Sequence, residues 1–131
     1  MKKVHVTAAV IEKENKILCV QRNSNKFDYI SYKWEFPGGK VEENEQLEET
    51  IKREIWEELN LQINVKAFLI RVEHEYPDFI LTMDTFKCEI VGGELKLNEH
   101  VSFKWLERDE LSQLDWAAAD LPIVENLKFK A

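Results

Sequence analysis

The segment that most constrains this chain is 46–59, which reads as an amphipathic helix carrying acid inside its own apolar stripe. At about 100° per residue, Leu47, Ile51, Ile55 and Leu59 share one arc of about 120° and form a face for burial. Glu58 falls inside that arc, Glu54 on its edge, and Glu57 and Arg53 flank it. Glu48 also falls in the arc, but it sits in the first turn and can point outward. Carboxylates three and four residues apart on one flank repel each other, and partial burial raises the cost. A hard divalent cation resolves that conflict, because Mg²⁺ takes oxygen ligands and favours carboxylates together with substrate phosphates. Arg53, one turn before Glu57, is placed to orient one of them. A glutamate-rich helix is usually just a solvated face. Here the position of Glu58 on the wheel favours a metal site.

The rest of the composition bounds the problem without deciding it. With 131 residues, the chain is expected to form one domain. Between residues 40 and 58 lie eight glutamates against Lys40, Lys52 and Arg53, which accounts for most of the net charge of −7. That sign argues against a nucleic-acid polymer or an anionic membrane as partner. An anionic small molecule remains open if a cation screens the encounter. Cys19 and Cys88 each sit in an apolar run, and no C-x-x-C pair exists, so two buried free thiols are expected. The N-terminal apolar stretch is too short and too polar for a signal peptide. No run approaches the roughly 20 apolar residues of a membrane helix. A soluble, cytoplasmic protein is the expectation.

Along the chain, Val4, Val6, Ala8 and Val10 alternate as in a strand, 12–16 carries turn chemistry, and 17–21 reads as its hairpin partner. Residues 23–33 read as a loop and 34–36 as a short extended piece. After the helix, 63–75, 79–90 and 101–106 are rich in strand formers, and 106–114 has room for a short helical turn. Pro122 suits the first turn of a last helix running to about Phe129. This order implies an α/β class, with a mixed sheet and helices packed on it. Pro37-Gly38-Gly39-Lys40 reads as a bare backbone loop entering the acidic helix, where amides and carbonyls approach a ligand closely.

Gly39, then Glu45 after five residues, then Arg53-Glu54-Ile55-Trp56-Glu57-Glu58-Leu59-Asn60-Leu61 after seven, resembles the Nudix box, Gly-x5-Glu-x7-Arg-Glu-U-x-Glu-Glu-x-Gly-U. Asn60 replaces the second glycine, and Asn is the next best residue for the left-handed helix end that glycine supplies. Trp34 to Lys40, Asn98-Glu99-His100 and Ala118 to Pro122 are similar to segments of the MutT-type branch, which includes 8-oxo-dGTP diphosphatases and (d)CTP pyrophosphohydrolases.

The resemblance implies a Nudix-type α/β/α sandwich, with a mixed β-sheet between the box helix and a C-terminal helix. It implies an Mg²⁺-dependent (Mn²⁺ as substitute) hydrolase that turns a nucleoside triphosphate into monophosphate and pyrophosphate. Gly38, through its carbonyl, with Glu54, Glu57, Glu58 and Glu99 would bind metal, Glu54 or another of these would handle the proton of water, and Arg53 would orient them. Arg22, Trp34, Glu35, Phe36, Pro37, Gly38, Lys40 and Asp120 would line the substrate. Several keep a second reading. Arg22 is also an ordinary strand-end arginine, Glu99 a surface glutamate, and Trp34 a core filler. Asp120, two residues before Pro122, is either a helix N-cap or a reader of the base. His5, His74 and His100 have no ligand spacing and read as structural or peripheral. The alternatives are hydrolysis of ADP-ribose or a nucleotide sugar, and a non-catalytic nucleotide-binding module. As for partners, a monomer or a homodimer is expected.

Overall fold

In a computed structural model, which describes residues 1–128, the chain forms a seven-stranded mixed sheet with a helix on each face. The strands are β1 (Lys2–Lys13), β2 (Lys16–Gln21), β3 (Trp34–Glu35), β4 (Gly38–Lys40), β5 (Leu61–Glu75), β6 (Phe79–Gly93) and β7 (Ser102–Leu106). The helices are α1 (Leu47–Leu59) and α2 (Leu121–Lys128), with 3₁₀ turns at Arg108–Gln113 and Ala118–Asp120. The expected end of the last helix at Phe129 lies outside the described residues. The order β3-β2-β1-β6-β5 is mixed because β1 runs parallel to β6 and antiparallel to β2; β4 pairs with β1, and β7 with β2.

Burial on both faces of the sheet explains its central strands. Ala8 and Val10 of β1 and Cys19 of β2 face a core with Leu111, Ile123, Val124 and Leu127. Ala9 and Ile11 of β1, Leu18 and Val20 of β2 and Cys88 of β6 face the opposite core, closed by Ile51, Ile55 and Leu59 of α1. Strands covered on both sides read as continuous apolar runs, as 8–11 and 17–20 do. The β1–β2 turn is a two-residue hairpin with Glu14 and Asn15 both at positive φ, 54° and 66°.

Helix α1 buries the stripe read from its sequence, at roughly 1.5–3 kcal/mol for each fully buried aliphatic side chain. It ends at Asn60, whose φ of 58° and ψ of 33° are left-handed. Asn thus serves where glycine is usual, and its amide also donates to the Glu94 carbonyl at 3.0 Å.

The structure revises the sequence reading at three elements. Residues 38–40 form a strand, not a bare loop, in register with Val6–Ala8. Strand β5 begins at Leu61 and β6 runs to Gly93, beyond the ends expected, because the two strands pair along nearly their whole length. Register shifts at Gln62/Ile63, Val65/Ala67 and Phe68/Ile70 break the alternation that would have marked the edge strand.

Candidate functional site

Strand β4 and helix α1 together build the acidic end of the site. A Cβ at Gly38 would strike the Thr7 carbonyl oxygen, and one at Gly39 would strike the Glu54 carboxylate, so each glycine permits one close approach. The ladder is carried by Ala9 N–H donating to Pro37 O at 2.7 Å and Val41 N–H donating to His5 O at 3.0 Å. Gly38 and Lys40 thus sit at non-hydrogen-bonded positions, and the Gly38 carbonyl turns away from β1.

Arg53 is the hub of this end. Its guanidinium donates to both oxygens of Glu45 at 2.8 and 3.0 Å, to Glu54 at 2.9 Å, to Glu57 at 3.3 Å and to the Lys40 carbonyl at 3.1 Å. Arg53 and the Thr50 hydroxyl hold the Glu45 carboxyl down to about 2. Among the described residues, no arginine or lysine pairs with Glu58. It is 7% exposed, and burial together with Glu54, Glu35 and Glu99 pushes its carboxyl up to about 10. A buried acid set beside other acids is a donor set suited to a divalent ion.

The loop after β6 closes this end from above. Its N–H groups at Glu94, Lys96 and Asn98 donate to the carbonyls of Asn60, Leu59 and Glu58 at 3.1, 2.9 and 3.0 Å, satisfying the orphan C-terminal carbonyls of α1. The Asn98 amide adds a bond to Glu57 O at 2.8 Å. That clamp delivers Glu99 and His100 to the cavity wall. His100 donates through Nε2 to Glu35 at 2.9 Å and lies 3.7 Å from Glu58.

Glu54, Glu58 and Glu99 line a cavity of about 1120 Å³, whose wall also includes the rings of Phe27, Tyr76 and Phe79. Arg22, Glu35, Phe36, Gly38, Lys40 and Asp120 line it. Arg22 pairs with Glu35 at 3.0 Å. The Asp120 carboxylate accepts the Phe36 N–H at 3.0 Å from across the chain, and among the described residues no backbone N–H of α2 donates to it, so the structure does not use Asp120 as an N-cap. Burial, then the charge of Glu35, raises the Asp120 carboxyl well above its usual range. The Tyr76 hydroxyl accepts the Ala119 N–H at 3.0 Å and fixes the turn that carries Asp120.

Three expected residues lie off the wall. Trp34 is 8% exposed and sits in the core with Phe36 and Trp116, with Lys104 Nζ 5.6 Å from its ring centroid, so it fills core rather than stacking on a ligand. Pro37 gives its carbonyl to the ladder. Glu57 is half exposed beside Arg53 at the rim. Among the described residues, the three carboxylates within 4.8 Å of one another are Glu107, Asp109 and Glu110 at the start of a 3₁₀ helix, where a capping box joins Glu107 and Glu110. His100, read as peripheral, belongs to the site. Its neighbour Glu99 was the available signal, whereas nothing in the sequence marks Phe27 or Tyr76.

The description NUDIX domain fits residues 1–127. The chain is 34% identical over 125 residues to the CTP pyrophosphohydrolase of Escherichia coli, covering 95% of this chain and 91% of the relative. It is 31% identical over 128 residues to the 8-oxo-dGTP diphosphatase of Buchnera aphidicola, covering 98% and 95%. Among solved structures, the DNA mismatch repair protein MutT (family Nudix hydrolase) of a methicillin-resistant Staphylococcus aureus superposes with a TM-score of 0.77 at 40% identity, covering all of both chains.

Proposed function

The chain belongs to the Nudix family, and from that membership we propose a MutT-type, divalent-metal-dependent pyrophosphohydrolase of nucleoside triphosphates, acting on 8-oxo-dGTP or (d)CTP. The single observation that carries this reading is the polarity of the cavity. Glu54, Glu58 and Glu99 cluster in one part of its wall, and Asp120 gathers with Tyr76 and the neighbouring rings in another, so acids suited to a metal and groups suited to a base line the same cavity.

The Gly38 carbonyl with Glu54, Glu58 and Glu99 would hold the ion, and Glu57 would join from the rim. A divalent ion held there would neutralise phosphate charge and lower the pKa of a bound water. The chain's own residues do the rest. Glu54, pressed against Gly39 and tied to Arg53, is fixed to accept a proton from water. Arg22 and Lys40 bring positive charge to the phosphates, and Asp120 meets the base edge. Phosphoryl transfer needs this positioning and charge neutralisation more than covalent help. The bond cleaved lies between the α and β phosphates.

Pyrophosphate release across canonical, oxidised and methylated (d)NTPs, with ADP-ribose included, tests the reading. Monophosphate and pyrophosphate as first products are expected. Orthophosphate as first product, or preference for ADP-ribose, overturns it.

A further inference from the structure

His100, Glu35 and Arg22 form a chain of contacts along the cavity wall in which the reaction as described gives a role to Arg22 alone. The His100 side chain is 5% exposed, and its Nε2 donates to Glu35 Oε2 at 2.9 Å. The other oxygen of Glu35 accepts from Arg22 Nη1 at 3.0 Å. His100 Nδ1 is buried and has no partner, so the ring is held through one nitrogen only. Glu58 lies 3.7 Å from that same Nε2, too far for the stronger contact. Arg22 follows the end of β2, where its backbone N–H donates to Lys33 O at 2.9 Å, and among the described residues its guanidinium pairs with Glu35. One of the five guanidinium N–H groups is thereby used, leaving the others for a ligand.

We propose that His100 and Glu35 are positioning residues that hold the Arg22 guanidinium against the bound nucleotide. This rests on the nucleotide reading of the cavity. His100 locks the Glu35 carboxylate in one rotamer, and the locked carboxylate presents Arg22 to the cavity already oriented. Without His100, the Glu35–Arg22 pair swings as a flexible ion pair and its ordering cost falls on substrate binding. The effect belongs to KM and affinity, not to the chemical step.

The geometry sets a sharp order among variants. His100→Gln places an amide N–H near the Nε2 position, whereas the shorter His100→Asn reaches only the unused Nδ1 position. KM for CTP and 8-oxo-dGTP is expected to rise about tenfold in His100→Ala and His100→Asn and to return close to the parent in His100→Gln, with kcat within about threefold throughout. In an Arg22→Ala background, His100→Ala should add nothing further to KM. Equal KM values for the Ala, Asn and Gln variants, full additivity with Arg22→Ala, or a fall in kcat at constant KM would each overturn the proposal. Should His100→Ala fail to fold, Glu35→Gln keeps an acceptor for His100 while removing the charge that faces Arg22, and an unchanged KM there is equally decisive against it. Affinity for CMP and 8-oxo-dGMP is measured in chelator as well. A parent that binds these without releasing pyrophosphate from the triphosphates overturns the function proposed above, while the same variant order in affinity upholds the positioning pair.

Discussion

Glu58 and Asp120 are buried acids lining one cavity, and both are held toward their neutral forms. A carboxyl whose folded pKa lies above its unfolded value keeps its proton in the native state, so native stability falls as pH rises through that interval. For Glu58 in metal-free protein the interval runs from its ordinary 4.5 to about 10. Glu58→Gln removes the cost while deleting a metal ligand. In chelator, its melting temperature at pH 8 should exceed the parent's, with the difference vanishing below pH 4, while turnover falls by about a thousandfold or more. Thermal unfolding at several pH values and pyrophosphate release check the two halves. Asp120 behaves alike in stability but differently in function. One oxygen is committed to the Phe36 N–H, so a neutral Asp120 offers the cavity an O–H donor where Asn would offer N–H. Asp120→Asn should raise the melting temperature above pH 5 and hold the ranking of 8-oxo-dGTP against CTP within about threefold, whereas Asp120→Ala should lose tenfold or so in kcat/KM. Steady-state kinetics on both substrates decides it.

At the scale of elements, β4 and α1 meet through two adjacent glycines with different duties. Gly39→Ala places a methyl against the far end of the Glu54 side chain, which can move, so activity should fall at least a hundredfold with little change in melting temperature. Gly38→Ala drives a methyl into backbone at Thr7 and should lose several kcal/mol of stability. Chemical denaturation beside turnover separates them. Helix α1 was legible because its stripe, its acids and its Asn60 stop all obey one period. Strand β4 was not, since Pro-Gly-Gly carries turn chemistry locally and only the long-range pairing with Val6–Ala8 makes it extended. Asp120 likewise carries the local signature of a cap, and a partner 84 residues away in sequence took its oxygen instead. Glu54, Glu58 and Glu99 were readable from the box and its neighbouring loop. His100 was signalled only by its neighbour Glu99, because its role depends on the clamp between that loop and the C-terminal carbonyls of α1.

For the whole molecule, the acidic end couples folding to the ion. A cation that binds the native carboxylates and not the unfolded chain stabilises by mass action, and Glu58 must surrender its proton to take part. Added Mg²⁺ should therefore raise the melting temperature, more at pH 9 than at pH 7, and the rise should disappear in Glu58→Gln; differential scanning calorimetry reads this directly. The sheet also divides the interior into two layers, and each holds one cysteine. Cys19 lies beneath α2 and Cys88 beneath α1, both with thiols pushed up to about 12 by burial. Neither sulfur can react with an alkylating probe until its own layer opens to solvent. The molecule thus carries two clocks, one per layer, and the labelling rate at each sulfur converts into the free energy of breathing on that side of the sheet.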